Sequence, residues 1–166
     1  MAYANRFINT DNLIIHLSSI LNPTTNPAIS SNYIGFLSVS AVTVYELAIK
    51  DIFKDFAIKK NKSFGFFVDS HFEKINGRIK LDNLKNEHIS AFGEKYLTRF
   101  KKSLDLREKN SITLRLGSIK AAYGNLITCR HSFVHEGITT LSLNEVINNY
   151  TLGKEVIHSL NLAMVR

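Results

Sequence analysis

Apolar residues recur along this chain at helical spacing, in segments separated by turn formers. Residues 11 to 21 (Asp-Asn-Leu-Ile-Ile-His-Leu-Ser-Ser-Ile-Leu) predict a short amphipathic helix with Thr10 or Asp11 as its cap. Both prolines fall in the stretch 22 to 31, which reads as a loop before the main body. From Ser38 to Lys60 the positions Val42, Tyr45, Ile49, Ile52, Phe53 and Phe56 predict a long helix, with lysines at the end where the helix dipole favours them. Its opening, Val39 to Val44, reads by itself as a strand, but the period beyond it is helical and the length exceeds a typical strand.

Residues 64 to 76 predict a shorter helix with Phe64, Phe67, Val68, Phe72 and Ile75 on one side, closed by Asn76-Gly77. Leu81, Leu84, Ile89, Phe92, Tyr96, Phe100 and Leu104 give a fourth, long helix, and Lys109-Asn110-Ser111 marks a turn. A further helix follows, with Ile119, Ala122, Tyr123, Leu126, Ile127, Phe133 and Val134 as its buried face. Ser142-Leu-Asn-Glu145 is a capping box that opens a last helix through Leu143, Val146, Ile147, Tyr150, Ile157, Leu160 and Met164.

No strand is required. The pattern predicts a single all-α domain over residues 1–166, an antiparallel bundle of five to six helices with residues 1–34 as an N-terminal helix and loop extension. At 45% hydrophobic and 21% charged residues the composition is that of a globular domain. The single cysteine, Cys129, excludes an internal disulfide framework and suits a reducing compartment. The first residues lack a secretory signal and no apolar run is long enough to span a bilayer, so a cytoplasmic protein with no membrane contact is expected.

The net charge of +7 favours a polyanionic partner such as nucleic acid. Its distribution sharpens this, because Lys95, Arg99, Lys101, Lys102, Arg107, Lys109, Arg115 and Lys120 face only Asp105 and Glu108 in the same span. Charge alone also admits a DNA-binding helical repressor. The phenylalanines of residues 64 to 76 offer a conceivable base-stacking platform, but their helical spacing favours a packed core.

The densest chemistry lies in Leu126-Ile-Thr-Cys-Arg-His-Ser-Phe-Val-His-Glu-Gly137. Arg130 brings a permanent planar cation, and His131 and His135 bring a side-chain type that titrates near neutral pH. Arg130 falls on the buried stripe, four residues after Leu126, where a guanidinium needs a carboxylate, a phosphate or a subunit partner. Glu46, between Val42 and Ile49, is an intramolecular candidate, or else sits at the edge of its own stripe and reaches water. His135 also suits a structural role at the helix C-terminus, and His131 one in orienting Arg130.

Metal binding matches poorly. The order His-Glu-x-x-His is absent and a pair of histidines one turn apart leaves the third ligand unspecified. There is no glycine-rich phosphate cradle and no nucleophile elbow, so nucleotide-loop and Ser-His-Asp chemistry are set aside and no cofactor is expected. RNA fits better, because it carries its own nucleophile. A histidine can deprotonate the 2′-hydroxyl, a second donor can protonate the leaving 5′-oxygen, and an arginine can stabilise the phosphoryl charge. DNA, lacking the 2′-hydroxyl, would be spared.

Arg130-His-Ser-Phe-Val-His135 resembles the R-(polar)-x-x-x-H signature of HEPN domains, with His131 where asparagine, aspartate or histidine usually follows the arginine. Its place at the end of the penultimate long helix, ahead of a capped final helix, is similar to that family, and Tyr45-Glu46 resembles the acidic position many members keep facing the motif. The nearest subgroup is the RiboL-PSP-HEPN-like bacterial proteins, over roughly residues 35 to 165. The resemblance implies a metal-independent endoribonuclease, commonly a toxin or phage-defence effector, active as a homodimer whose paired motifs form one composite site. It assigns Arg130 to the phosphate, His135 to general acid or base work, and His131 and Glu46 to positioning. Lys95, Arg99, Lys101, Lys102 and Arg115 would guide RNA, and an antitoxin or another defence-system subunit would be a further partner. Five residues turn a straight helix by about 500°, which leaves Arg130 and His135 about 140° apart, an offset that a helix end or a second subunit would have to bridge. The competing reading is a non-catalytic helical interaction or scaffold module of the same fold.

Overall fold

Asn26 starts the longest helix. Its side chain accepts a hydrogen bond from the Ala28 N–H at 2.9 Å, and Pro27 takes the first helical position, where its fixed φ suits the helix and its missing N–H leaves no donor unpaired. In the computed structural model, which describes residues 2–21, 25–73, 75 and 77–165, helix α3 then runs Pro27–Lys60, 34 residues or about 51 Å. The expected start at Ser38 therefore falls well inside it. Asn26-Pro27 is a cap and first turn rather than part of a loop.

Two segments precede it, α1 (Ala2–Asn5) and α2 (Ile8–Ile20). Thr10 is not a cap: it lies within α2, fully buried, with its hydroxyl 2.7 Å from that of Ser40. After α3, Asn61 ends one helix and opens the next, for its side chain accepts from the Ser63 N–H at 2.8 Å. Helix α4 (Lys62–Glu73) folds back along α3, with Lys54 on Asp69 at 2.6 Å, Phe53 stacked on Phe72 at 4.6 Å, and Gly65 so close to Ile58 that a Cβ there would lie 2.5 Å from it. Val68, Phe72 and Ile75 are buried as expected, whereas Phe67 is 66% exposed: it sits one position off the stripe that meets α3. Asn76 of the expected Asn76-Gly77 stop lies outside the described residues, while Gly77 takes a left-handed φ of +78°.

The predicted fourth helix is broken. A short α5 (Leu81–Asn83) passes into a wide π turn (Leu84–Ile89) and a tight 3-10 turn (Ser90–Phe92), and Gly93, at φ +111°, separates these from α6 (Glu94–Thr113). The apolar period runs through the break because Leu84 and Ile89 on one side and Phe100 and Leu104 on the other enter the same core. The turn expected at Lys109-Asn110-Ser111 is helical. Ser111 is buried and its hydroxyl donates to the Gly117 carbonyl at 2.6 Å, and the reversal comes over residues 114–118, where Arg115 and Gly117 both take positive φ. Ser118 caps α7 (Ile119–Glu136) by accepting from the Ala121 N–H. The predicted capping box opens α8 (Leu143–Val165): Glu145 accepts from the Ser142 N–H at 2.8 Å.

Three tyrosines set the relative directions of the long helices. Tyr45 of α3 stacks on Tyr123 of α7 at 5.5 Å and on Tyr150 of α8 at 5.7 Å. Its hydroxyl donates to the Tyr150 carbonyl, and Gly153 leaves room for it, since a Cβ there would meet that oxygen at 2.4 Å. Phe133 of α7 lies on Gly35 of α3, so these helices are antiparallel. Ile52 shares a cleft with Asn161 and Met164, so α3 and α8 run the same way. Helix α6 follows the C-terminal half of α8, with Arg107 paired to Glu155 and Tyr96 beside Asn161. The result is an all-α bundle, with no strand among the described residues and more segments than the five to six expected, the excess being the short α1 and α5.

Candidate active site at the C-terminal end of α7

Local chemistry explains why α7 stops where it does. Gly137 adopts the left-handed conformation, φ +69°, and its N–H and that of Ile138 bond back to the carbonyls of Phe133 and Ser132. The helix stays regular to Glu136, so the offset of about 140° between Arg130 and His135 is not relieved within one chain. His131 and His135, one turn apart, are both exposed and their rings meet at 4.4 Å between centroids. Neither imidazole, nor the Arg130 guanidinium, makes a hydrogen bond or ion pair with any described residue.

Arg130 keeps the angular phase of Tyr123 and Leu126 but is only half-buried. The last two turns of α7 run past the densest layer of the core: Cys129 is fully buried, Phe133 half-covered and Val134 49% exposed, against the expectation that Phe133 and Val134 complete the buried face. A half-covered guanidinium at the mouth of the bundle keeps access to water and escapes most of the desolvation cost of full burial.

Glu46 is not its partner. Two contacts, Tyr45 with Tyr123 and Gly35 with Phe133, set the register of α3 against α7, and this places Arg130 level with Ser38. Glu46 lies two turns further on, about 12 Å along the axis. Its carboxylate instead pairs with Lys50 at 3.2 Å and accepts from the Gly77 N–H at 3.1 Å, so it ties the turn after α4 to α3.

The basic span is also apart from the motif. Lys95, Lys101, Lys102, Lys109 and Arg115 are exposed, whereas Arg107 is held by Glu155 and Lys120 by Asp105. From Tyr96, beside Asn161, it is roughly 16 Å along α8 to the level of Tyr150 and Tyr123, and Arg130 lies about 10 Å beyond, further along α7. Arg99 is half-buried, and its Nη1 is buried with no acceptor among the described residues.

Sequence reasoning missed the apolar surface beside the motif. Ile29, Tyr33 and Phe36 lie at i, i+4 and i+7 on α3 and are 50%, 43% and 63% exposed, and Phe36 meets Phe133 edge to face at 5.5 Å. Val134 and Ile138 continue it from the α7 side. The helical spacing of Ile29, Tyr33 and Phe36 carries the signal, but the prolines and turn formers of residues 22–31 interrupt the pattern at Ile29 and the expected long helix begins only at Ser38. Among the described residues no three His, Cys, Asp or Glu side chains group closely enough to hold a metal ion, and no helix is long and apolar enough to cross a membrane.

The RiboL-PSP-HEPN family model matches residues 5–165, nearly the whole chain and well beyond the segment that carries the motif. In the other two comparisons no curated protein and no solved structure matches. An all-α bundle with a half-buried arginine and exposed histidines at the end of its penultimate long helix fits that assignment: the chain belongs to the RiboL-PSP-HEPN family.

Proposed function

We infer that the protein is a metal-independent endoribonuclease, acting as a toxin or phage-defence effector, and that its site is composite, built from the α7 ends of two copies. The observation that carries this is the set of Arg130, His131 and His135 side chains, grouped at the open end of α7 with no hydrogen-bond or ion-pair partner among the described residues. A guanidinium and two imidazoles left free at a surface are what an RNA phosphodiester requires. One imidazole takes the proton of the 2′-hydroxyl as its oxygen attacks phosphorus. The P–O5′ bond breaks, a protonated imidazole gives its proton to the departing 5′-oxygen, and Arg130 neutralises the phosphoryl oxygens. The products are a 2′,3′-cyclic phosphate and a free 5′-hydroxyl.

The offset between Arg130 and His135 on one regular helix supports the two-chain site, since one copy does not aim both at the same phosphorus. The exposed stripe of Ile29, Tyr33 and Phe36 with Val134 and Ile138 supplies an apolar surface on which two copies would pair about a two-fold axis. Glu46 has a structural role in this reading, and the exposed cations Lys95, Lys101, Lys102 and Arg115, with Arg99, would guide the RNA strand well away from the reacting phosphate. An antitoxin or other defence subunit would act by covering the motif.

The experiment is incubation of the purified protein with single-stranded RNA in EDTA and analysis of the new ends. Cleavage to 2′,3′-cyclic phosphates, lost in His135→Ala, is expected. RNA left whole by a stable dimer would favour the non-catalytic scaffold module, and salt-sensitive binding of duplex DNA without RNA cleavage would favour a repressor.

A further inference from the structure

Helix α6 ends in a Schellman turn with an arginine at the position where glycine is usual. Arg115 takes a left-handed φ of +57°, its N–H bonds to the Ile112 carbonyl at 3.0 Å, and the Leu116 N–H bonds to the Ser111 carbonyl at 2.9 Å. In such a turn the residue at the place of Leu116 commonly makes an apolar contact with the one at the place of Ser111. Here that partner is a buried serine, whose hydroxyl donates to the Gly117 carbonyl at 2.6 Å, so the turn is braced while Leu116 is left outward. Leu106, Ile112, Leu114 and Leu116 are each more than half exposed. Lys102, Leu106, Lys109 and Ile112 follow one another at three- and four-residue steps, so they form one ridge on α6 that runs into the turn. Such a concentration of exposed aliphatic chains marks an interaction surface.

The charge of this surface is one-sided. Asp105 is taken by Lys120 at 2.6 Å, Glu155 by Arg107, and Glu108 accepts from the Ser118 hydroxyl at 2.6 Å and the Lys120 N–H at 3.1 Å. Lys102, Lys109 and Arg115 are exposed and make no ion pair with a described residue. The carboxylates nearby are engaged, and three cations among the aliphatic chains are left without a counter-charge.

The complement is an anionic surface that also offers apolar side chains. A nucleic acid would use the cations, but residues 101–118 hold no aromatic ring on which a base could stack, and the aliphatic chains would stay in water. A bilayer takes apolar groups ahead of charged ones. Here Lys109 stands between Leu106 and Ile112, and Arg115 between Leu114 and Leu116, so cations would be carried in with them. Carboxylates interleaved with leucine-like chains match both components, and a helix supplies them at the same three- and four-residue steps. We propose that this ridge and turn dock an acidic amphipathic helix of a partner protein, its apolar stripe on Leu106, Ile112, Leu114 and Leu116 and its carboxylates on Lys102, Lys109 and Arg115. The braced turn holds the apolar chains in place before the partner arrives, which lowers the ordering cost of binding. Lys102 and Arg115 also belong to the proposed RNA path, so on that reading the docked helix would compete with RNA; the docking itself does not depend on it.

The test is fluorescence anisotropy with the full chain and a labelled synthetic helix carrying leucines along one stripe and glutamates on both flanks. Saturable binding is expected, weakened about tenfold or more by Leu114→Ser/Leu116→Ser and by Lys109→Glu/Arg115→Glu, and likewise when serines replace the leucines of the peptide or lysines its glutamates. Arg115→Gly separates recognition from folding: glycine suits the left-handed φ, so this variant should melt no lower than the parent yet hold the peptide less tightly. Phosphatidylglycerol vesicles and a single-stranded RNA oligonucleotide are the rival probes. The proposal is overturned if the peptide does not saturate at millimolar concentration, if Leu114→Ser/Leu116→Ser or Arg115→Gly binds it as well as the parent, or if the serine variant instead loses a hold on vesicles or RNA. No arm reads RNA cleavage, so failure of the ribonuclease reading would leave the result unchanged.

Discussion

His131 and His135 stand ring against ring, 4.4 Å apart, while Arg130, next to His131 in the chain, points about 100° away from it around α7. The imidazoles face outward together and the guanidinium faces the mouth of the bundle. One helix end therefore presents two surfaces, which the proposed composite site would join across two copies.

This arrangement predicts complementation. Arg130→Ala and His135→Ala should each lower RNA cleavage by about 100-fold or more, within the range for removing one catalytic proton-transfer or charge-stabilising group. Mixing the two inactive variants under exchange conditions should restore a substantial fraction of activity, because half of the mixed sites then hold an intact arginine and an intact histidine. Cleavage assays on the mixture, set against each variant alone, decide between a composite site and a site within one chain.

Phe36 is 63% exposed, so Phe36→Glu should change the stability of the isolated chain by only about 0.5 kcal/mol. Placed in a self-complementary apolar interface, the same carboxylate would appear twice, unpaired. On the proposed pairing, sedimentation should show a dimeric parent and a monomeric variant, with RNA cleavage lost and the circular dichroism spectrum retained. A variant that dimerises like the parent would remove this face from the interface.

Tyr123 is fully buried and its hydroxyl donates to the Ile79 carbonyl at 2.7 Å, and burial pushes the phenol far above its ordinary range. Tyr123→Phe keeps the stacking on Tyr45 but leaves that carbonyl without its donor, an expected loss of about 1–3 kcal/mol in denaturant unfolding. The segment 77–80 should loosen first, which hydrogen exchange would register.

His158 packs against the rings of Tyr3 and Phe7, with Nδ1 3.1 Å from the Tyr3 hydroxyl. Burial lowers its pKa below the ordinary 6.5, with Arg107 and Lys154 reinforcing the shift and Glu155 opposing it. The unfolded chain therefore binds a proton at this position before the folded chain does, so stability falls as pH drops through 6.5 and levels off below the depressed value. Unfolding midpoints measured between pH 8 and pH 5, conditions set around the ordinary histidine value, should decline less steeply for His158→Gln than for the parent. Parallel slopes for the two proteins would remove His158 as the source.

Much of the fold was legible because it is written between near neighbours. The three-and-four spacing of Val42, Tyr45, Ile49 and Ile52, the Ser142 to Glu145 capping box and the stop at Gly137 are short-range features, and each took its expected form. Positive φ at Gly93 broke a helix whose apolar period continued across it. Asn26-Pro27 opens a helix although both residues favour turns, which carries the start of α3 eleven residues ahead of the expected Ser38 and places Ile29, Tyr33 and Phe36 on one helical stripe.

The sequence by itself determined an all-helical chain and an arginine and histidines on the last turns of its penultimate long helix, because helical period and capping depend on residues within a few positions of one another. Which of those residues meet was decided only in three dimensions. The register of α3 against α7, set by Tyr45 on Tyr123 and Phe133 on Gly35, separates Glu46 from Arg130. The turn over residues 114–118 and the pairing of Arg107 with Glu155 carry the basic helix to the far half of α8. Both depend on contacts between residues far apart in the chain, whose alignment no local pattern encodes.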